Sequence, residues 1–95
     1  MAISVITQGE LLYGALNKLE LNRLQRSLKR IKILPVNEDI SRLHIALLET
    51  YVLSHKLDVP DALIAATAIH HNCPLYTVNL KDFRYIDALA LYQPK

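Results

Sequence analysis

Short apolar segments along the chain predict four strands. Three of them are rich in β-branched or aromatic residues, which is typical of buried strands. Pro35 closes the second segment and indicates a strand end or a sheet edge, because proline cannot donate to a ladder. The four predicted strands cover residues 2–7, 31–36, 74–78 and 89–92.

Apolar residues at spacings of three to five predict helices between these strands. The predicted helices run from Glu10 to about Arg30, from after Asn37 to about Leu57, and from Asp61 to His71. The first of them has a candidate break either at Asn17 or at 20–22. Asn37 is the predicted N-cap of the second helix, and Asn72 ends the third.

The order of elements favours an α/β domain with a mainly parallel sheet, because strands and helices alternate along the chain. Residues 79–86 are predicted to form a loop with a short helical turn. We find no internal repeat and no linker, and so expect one domain over 1–95.

Composition narrows the class of protein. At 95 residues with 52% hydrophobic and 21% charged residues, the chain resembles an ordinary globular domain rather than a disordered one. No apolar run approaches the ~18–20 residues of a membrane span, and the start of the chain does not resemble a signal peptide. The single cysteine, Cys73, can form neither an internal disulfide nor a cysteine metal cage. We therefore expect a cytoplasmic protein.

Three carboxylates share one local spacing: each lies three residues after an N-cap-type residue. The pairs are Thr7 with Glu10, Asp58 with Asp61, and Asn79 with Asp82. Taken one at a time, such pairs are most often helix caps, since this is the spacing of a capping box.

The predicted architecture gives these carboxylates a second interpretation. Helix starts in a parallel α/β sheet lie at the carboxyl ends of strands, where such folds place their sites. Three carboxylates gathered there would repel one another unless a cation neutralised them. Oxygen ligands suit Mg²⁺ or Mn²⁺, whereas the four histidines lack zinc-type spacing.

The sequence resembles the PIN-domain family, in particular the VapC-type toxins of toxin–antitoxin pairs. Three segments carry the resemblance and together extend it over essentially the whole chain. They are ISVITQGELLYG at 3–14, VPDALIAATA at 59–68 and LYTVNLKDF at 75–83.

The resemblance implies an activity and a set of site residues. Glu10, Asp61 and Asp82 would be catalytic, metal-binding carboxylates, and Thr7 and Asn79 would be polar neighbours that orient them. The implied reaction is hydrolysis of RNA phosphodiesters with bound Mg²⁺ or Mn²⁺, as in the toxins of type II toxin–antitoxin pairs. A cognate antitoxin and self-association into a homo-oligomer are the implied protein partners.

The resemblance also implies a departure from the family. The chain begins at what resembles the family's second strand, so we expect a PIN-like three-layer fold that lacks the leading central strand and its Asp. The alternative function is therefore a non-catalytic PIN remnant that acts as an oligomerisation or antitoxin-binding module.

Charge adds a candidate RNA surface. The net charge is only +2, but basic residues crowd residues 18–32. Such a segment is most often a solvated helix face, and the alternative is contact with phosphate. The candidate RNA contacts are Arg23, Arg26, Arg30 and, beside the third acid, Lys81.

Overall fold

The computed structural model of the protein describes residues 2–77 and 79–92. Its elements, in chain order, are strand β1 (Ala2–Ser4), helix α1 (Val5–Tyr13), helix α2 (Lys18–Leu28), strand β2 (Lys32–Leu34), helix α3 (Glu38–His55), helix α4 (Val59–His70) and a 3₁₀ turn (Leu80–Asp82). They belong to two compact units, the first unit Met1–Pro35 and the second unit Val36–Lys95. The prediction of one domain over 1–95 stays a prediction.

The first unit contains a two-stranded parallel sheet. β1 pairs with β2 in the register Ala2 to Lys32, Ile3 to Ile33 and Ser4 to Leu34. The predicted strand 2–7 is wrong beyond Ser4, because the Ser4 Oγ accepts the Thr7 N–H at 3.0 Å and so caps a helix that begins at Val5. The side-chain cap outweighs the strand preference of the β-branched residues at 5–7.

The predicted long helix over 10–30 is divided in two. The break at Asn17 is confirmed, since the Asn17 Oδ1 accepts the Glu20 N–H at 2.9 Å and caps α2. The Glu20 carboxylate in turn accepts the Leu16 N–H at 3.1 Å. The alternative break at 20–22 is wrong, because those residues lie inside α2.

Two asparagines mark the start of α3 and the chain just beyond the end of α4. Asn37 caps α3 by accepting the Ile40 N–H at 2.8 Å, as predicted, and its amide also contacts His70 Nε2 at 3.2 Å. Asn72 adopts the left-handed conformation, with φ 53°, just after α4. The contact between Asn37 and His70 places the start of α3 beside the end of α4.

The core of the second unit is formed around α4, which packs along α3. Ala62, Ala65 and Ala66 are completely buried, and so is Ile40 of α3. The buried hydroxyl of Thr67 donates to the Leu63 carbonyl at 2.7 Å, which satisfies it within its own helix. The alanine-rich sequence therefore forms a helix with several buried sides, as its pattern predicts.

The last two predicted strands are reduced to a single parallel bridge between Leu75 and Leu91. The Leu75 N–H donates to the Ala90 carbonyl, and the Tyr92 N–H donates to the Leu75 carbonyl, both at 2.8 Å. The predicted strands 74–78 and 89–92 are therefore too long over the residues that the structure describes. Val78, the end of the third, lies outside them.

The observed elements agree with the predicted fold class and with the predicted turn near the end of the chain. The α/β class with parallel strand pairing is confirmed, and so is the helical turn within the loop at 79–86. Over the described part of the chain, no helix is both long and apolar enough to cross a membrane.

A carboxylate cavity in the second unit

Asp61 and Asp82 lie on one cavity of about 190 Å³. We call it the carboxylate cavity. Its lining residues are His55, Lys56, Leu57, Asp58, Asp61, Lys81, Asp82 and Tyr85. Two of the three carboxylates predicted from the sequence are thus brought together, although they come from different elements.

The start of α4 fixes the position of Asp61. The Asp58 Oδ1 accepts the Asp61 N–H at 2.9 Å, and Pro60 occupies the first turn, where its missing N–H costs no hydrogen bond. The helix therefore begins at Val59, two residues before the predicted start. The expected cap is confirmed, and it holds Asp61 half-buried at the cavity.

The 3₁₀ turn fixes the position of Asp82. Its N–H donates to the Asn79 main-chain carbonyl at 3.0 Å, and Phe83, only 5% exposed, anchors the turn. The prediction that the Asn79 side chain caps this turn is wrong, since that side chain makes no capping bond in the described structure. Instead the Asn79 N–H donates to the Thr77 Oγ1 at 3.0 Å, a contact that the sequence analysis missed.

Negative charge accumulates at the cavity. Burial raises the pKa of the Tyr85 phenol above its ordinary value, and the charges of Asp61, Asp82 and Asp58 raise it further. These three carboxylates are therefore close enough for their charges to act on a single hydroxyl group. Three acids against two lysines, Lys56 and Lys81, leave the lining with a net negative formal charge, which attracts cations.

Glu10 belongs to the first unit, and its predicted setting needs correction. It lies in the middle of α1 and is exposed, so it is not in the first turn of a helix capped by Thr7. The cap is Ser4, and the Thr7 hydroxyl is hydrogen-bonded to the Ser4 Oγ at 3.0 Å. The roles of Glu10 and Thr7 in a metal site stay predictions.

The four candidate RNA contacts are all exposed. Arg23 and Arg26 lie on α2, and Arg30 follows its end. Lys81 lies on the carboxylate cavity itself, in the same 3₁₀ turn as Asp82. It is thus the only one of the four among the lining residues of that cavity.

Sequence reasoning missed an aromatic cluster at the cavity. His55 and Tyr85 are stacked, with ring centroids 4.0 Å apart and planes 4° from parallel. Tyr51 meets the Tyr85 ring edge-on at 5.0 Å. The only signal in the sequence was that each ring is close to an acidic residue along the chain. His55 precedes Asp58 by three residues, and Tyr85 follows Asp82 by three.

The carboxylate cavity suits a hard divalent cation by the chemistry of its donors. Within the described residues, no group of three or more His, Cys, Asp or Glu is arranged to hold a metal. Mg²⁺, however, commonly takes one or two protein carboxylates and completes its shell with water and substrate phosphate. Asp61 and Asp82 supply such oxygens on one polar cavity, and they therefore fit the ion.

Comparison with known families identifies the class of protein. A family model described as PIN domain matches residues 1–89. The chain therefore belongs to the PIN-domain family, as its motifs indicated. Proteins of this family generally use divalent metals. A search of curated protein sequences gives no significant match.

Solved structures narrow the comparison to toxin–antitoxin proteins. A toxin–antitoxin complex from Klebsiella pneumoniae is 35% identical, with a TM-score of 0.79, over 98% of this chain and 75% of that one. VapBC2 from Rickettsia felis, bound to a promoter DNA fragment, is 32% identical, with a TM-score of 0.80, over 96% and 72%. VapBC-1 from nontypeable Haemophilus influenzae is 26% identical, with a TM-score of 0.83, over 97% and 72%. The PIN-like fold and the resemblance to VapC-type toxins are confirmed.

Proposed function

We propose that this chain is a metal-dependent endoribonuclease and the toxin of a toxin–antitoxin pair. One observation carries the proposal: Asp61 and Asp82, which lie in the two most family-like segments, line the same cavity in a chain that matches the PIN domain over residues 1–89.

Mg²⁺ or Mn²⁺ is the proposed cofactor. Asp61 and Asp82 would hold it in the carboxylate cavity. Glu10 is the third carboxylate to which the resemblance assigns a metal-binding role. Bound there, such an ion supplies an activated water and offsets charge at the scissile phosphate.

The protein's own residues position the substrate. Lys81 lies on the carboxylate cavity, where its positive charge would counter the repulsion between RNA and the acids. The Asp58 cap and the Asn79 carbonyl hold the two acidic elements in place. We assign Thr7 and Asn79 supporting polar roles.

We also propose a cognate antitoxin and self-association as protein contacts, in the cytoplasm. The similar structures from Klebsiella pneumoniae and Rickettsia felis are toxin–antitoxin assemblies. The first unit exposes large apolar side chains of the kind that protein interfaces bury. They include Leu11 at 43%, Tyr13 at 93%, Leu16 at 85% and Leu19 at 57% exposure.

Metal titration and RNA cleavage together test the nuclease proposal. Calorimetry on the full chain should show Mn²⁺ or Mg²⁺ binding that Asp61→Asn weakens, and cleavage of single-stranded RNA should stop when a chelator is added. Glu10→Gln should also abolish cleavage. Asp87→Asn is the matched control, because it removes the same charge from an exposed residue outside the lining of the cavity.

A second candidate function is a binding module without nuclease activity. The exposed apolar residues of the first unit favour it, since they would serve an interface whether or not RNA is cut. The cleavage assay separates the two. Chelator-sensitive cleavage that Glu10→Gln removes excludes the binding module, whereas antitoxin binding with no cleavage and no metal uptake excludes the nuclease.

A further inference from the structure

The stacked pair of His55 and Tyr85 forms one wall of the carboxylate cavity. Both rings are lining residues, and their centroid separation of 4.0 Å is that of stacked aromatic groups. The Ser54 hydroxyl lies 2.7 Å from His55 Nδ1 and so restrains the rotation of the imidazole. The pair is thus a fixed flat surface beside the acids.

Among the described residues, the rings that contact His55 are those of Tyr85 and Tyr51, and only Tyr85 covers a face of the imidazole. Tyr51 is nearer to Tyr85, at 5.0 Å, than to His55, at 5.9 Å. If Tyr51 covered the second face of His55, its centroid would be closer to His55 than to Tyr85. The opposite is observed, so Tyr51 lies beside the stacked pair and not at its end. His55 is also an exposed residue.

The surroundings of the second face of His55 suit a nucleotide more than an apolar group. Lys81 on the same cavity provides a positive charge for a phosphate, and Asp61 and Asp82 would hold the proposed divalent cation. A nucleobase is flat and joined to a phosphate, and base stacking on aromatic side chains is the usual way in which single strands are held.

We infer that His55 is a substrate-positioning residue: a nucleobase next to the scissile phosphate stacks on its uncovered face and extends the Tyr85–His55 stack by one ring. This inference rests on the proposed nuclease function and deepens it. A base stacked inside a duplex has no free face to offer, so this contact needs an unpaired base. Lys81 contacts the attached phosphate.

The test uses a short single-stranded RNA that contains the fluorescent adenine analogue aminopurine. Binding is measured by fluorescence in the Asp61→Asn background, so that the RNA stays intact. Stacking on His55 should quench the fluorescence. His55→Ala should abolish the quenching and weaken binding by about tenfold, in the range of a lost base–aromatic stack, whereas His55→Phe should retain both.

Tyr76→Ala is the matched control. Tyr76 is 63% exposed and also belongs to an aromatic pair, with Tyr92 at 5.7 Å, but it is not a lining residue of the carboxylate cavity. Its removal should leave binding and quenching unchanged. In the background with Asp61 intact, His55→Ala should raise KM for single-stranded RNA while changing kcat much less.

Two results would overturn the inference. One is equal quenching and equal affinity in Asp61→Asn and in the double variant that also carries His55→Ala. The other is no quenching in either of these two proteins. The proposed nuclease function is judged separately, by metal-dependent cleavage of the same RNA with Asp61 intact. Cleavage with an unaltered KM in His55→Ala would thus reject the stacking role and leave the nuclease in place.

Discussion

The main-chain N–H of Asp61 donates to the Oδ1 of Asp58 at 2.9 Å, and both carboxylates lie on one cavity. Asp58 thereby has two effects. It fixes the first turn of α4, and its charge adds to the negative potential that acts on Tyr85. Substitutions that separate the capping role from the charge can measure each.

Asp58→Ala should lower the free energy of unfolding by about 1 kcal/mol, because it removes the side-chain acceptor of a helix N-cap. Asp58→Asn should lose much less, since asparagine is an equally good cap. Urea unfolding of the two variants checks this. Equal losses in both would show that the charge, and not the cap, stabilises α4.

Tyr85 should make stability fall at alkaline pH. Its pKa is raised above the ordinary value of 10.0 in the folded state, so above that pH the unfolded chain releases the proton while the folded chain keeps it. The folded state then binds more protons, and stability decreases as pH rises. Urea unfolding from neutral to alkaline pH should show a loss that is smaller in Tyr85→Phe.

Asp87→Asn is the control for this pH dependence, because Asp87 is exposed, lies outside the cavity lining and is not among the charges that raise the pKa of Tyr85. It should leave the alkaline loss as in the wild type. Asp61→Asn should move the pKa of Tyr85 back toward its ordinary value, as followed by tyrosinate absorbance. If the pKa of Tyr85 were the same in Asp61→Asn as in the wild type, the electrostatic effect of Asp61 on Tyr85 would be contradicted.

Asp82→Asn should lower RNA cleavage by more than about a hundredfold. Loss of a residue that merely hydrogen-bonds a metal ligand already costs about 10–100-fold, and Asp82 is a proposed ligand. Because Asp82 is exposed on a short turn, the variant should unfold at the same urea concentration as the wild type. Asp87→Asn should cleave normally; if it loses as much, general charge rather than the site explains the effect.

Neutralising Arg23, Arg26 and Arg30 together should weaken RNA binding and make it less dependent on salt. Each phosphate contact to a single strand contributes about 0.7 to the slope of log affinity against log salt. The slope should therefore become shallower by about 2. Arg42→Gln is the control, since Arg42 is already paired with Glu38 and Asp39 on α3. An unchanged slope would make the basic segment a solvated helix face.

Helix signals in the sequence were reliable where a side chain acts locally. Asn17, Asn37 and Asp58 each cap a helix through an N–H three residues later. The same rule failed at Asn79, whose side chain makes no capping bond. It failed at Thr7 because a stronger local candidate, Ser4, lies three residues before it and starts the helix earlier. The spacing of apolar residues does not show which of two nearby capping residues begins the helix.

The sequence allowed the acidic residues of the site to be predicted, but not the aromatic residues beside them. Asp61 and Asp82 follow recognisable spacings, and the structure brings them to one cavity. His55 and Tyr85 come from the end of α3 and from the loop after the 3₁₀ turn, and their stacking depends on how those elements pack. No local pattern encodes such a contact, because it joins residues far apart in sequence.

The three completely buried alanines of α4 limit how the cavity can vary. With only methyl groups at Ala62, Ala65 and Ala66, the neighbouring parts of the second unit approach the α4 backbone closely, and a longer side chain there would push the helix away. Asp61 lies in the first turn of that helix and would move with it. A single substitution at one of these alanines would therefore remove the proposed activity while every carboxylate remains in the sequence.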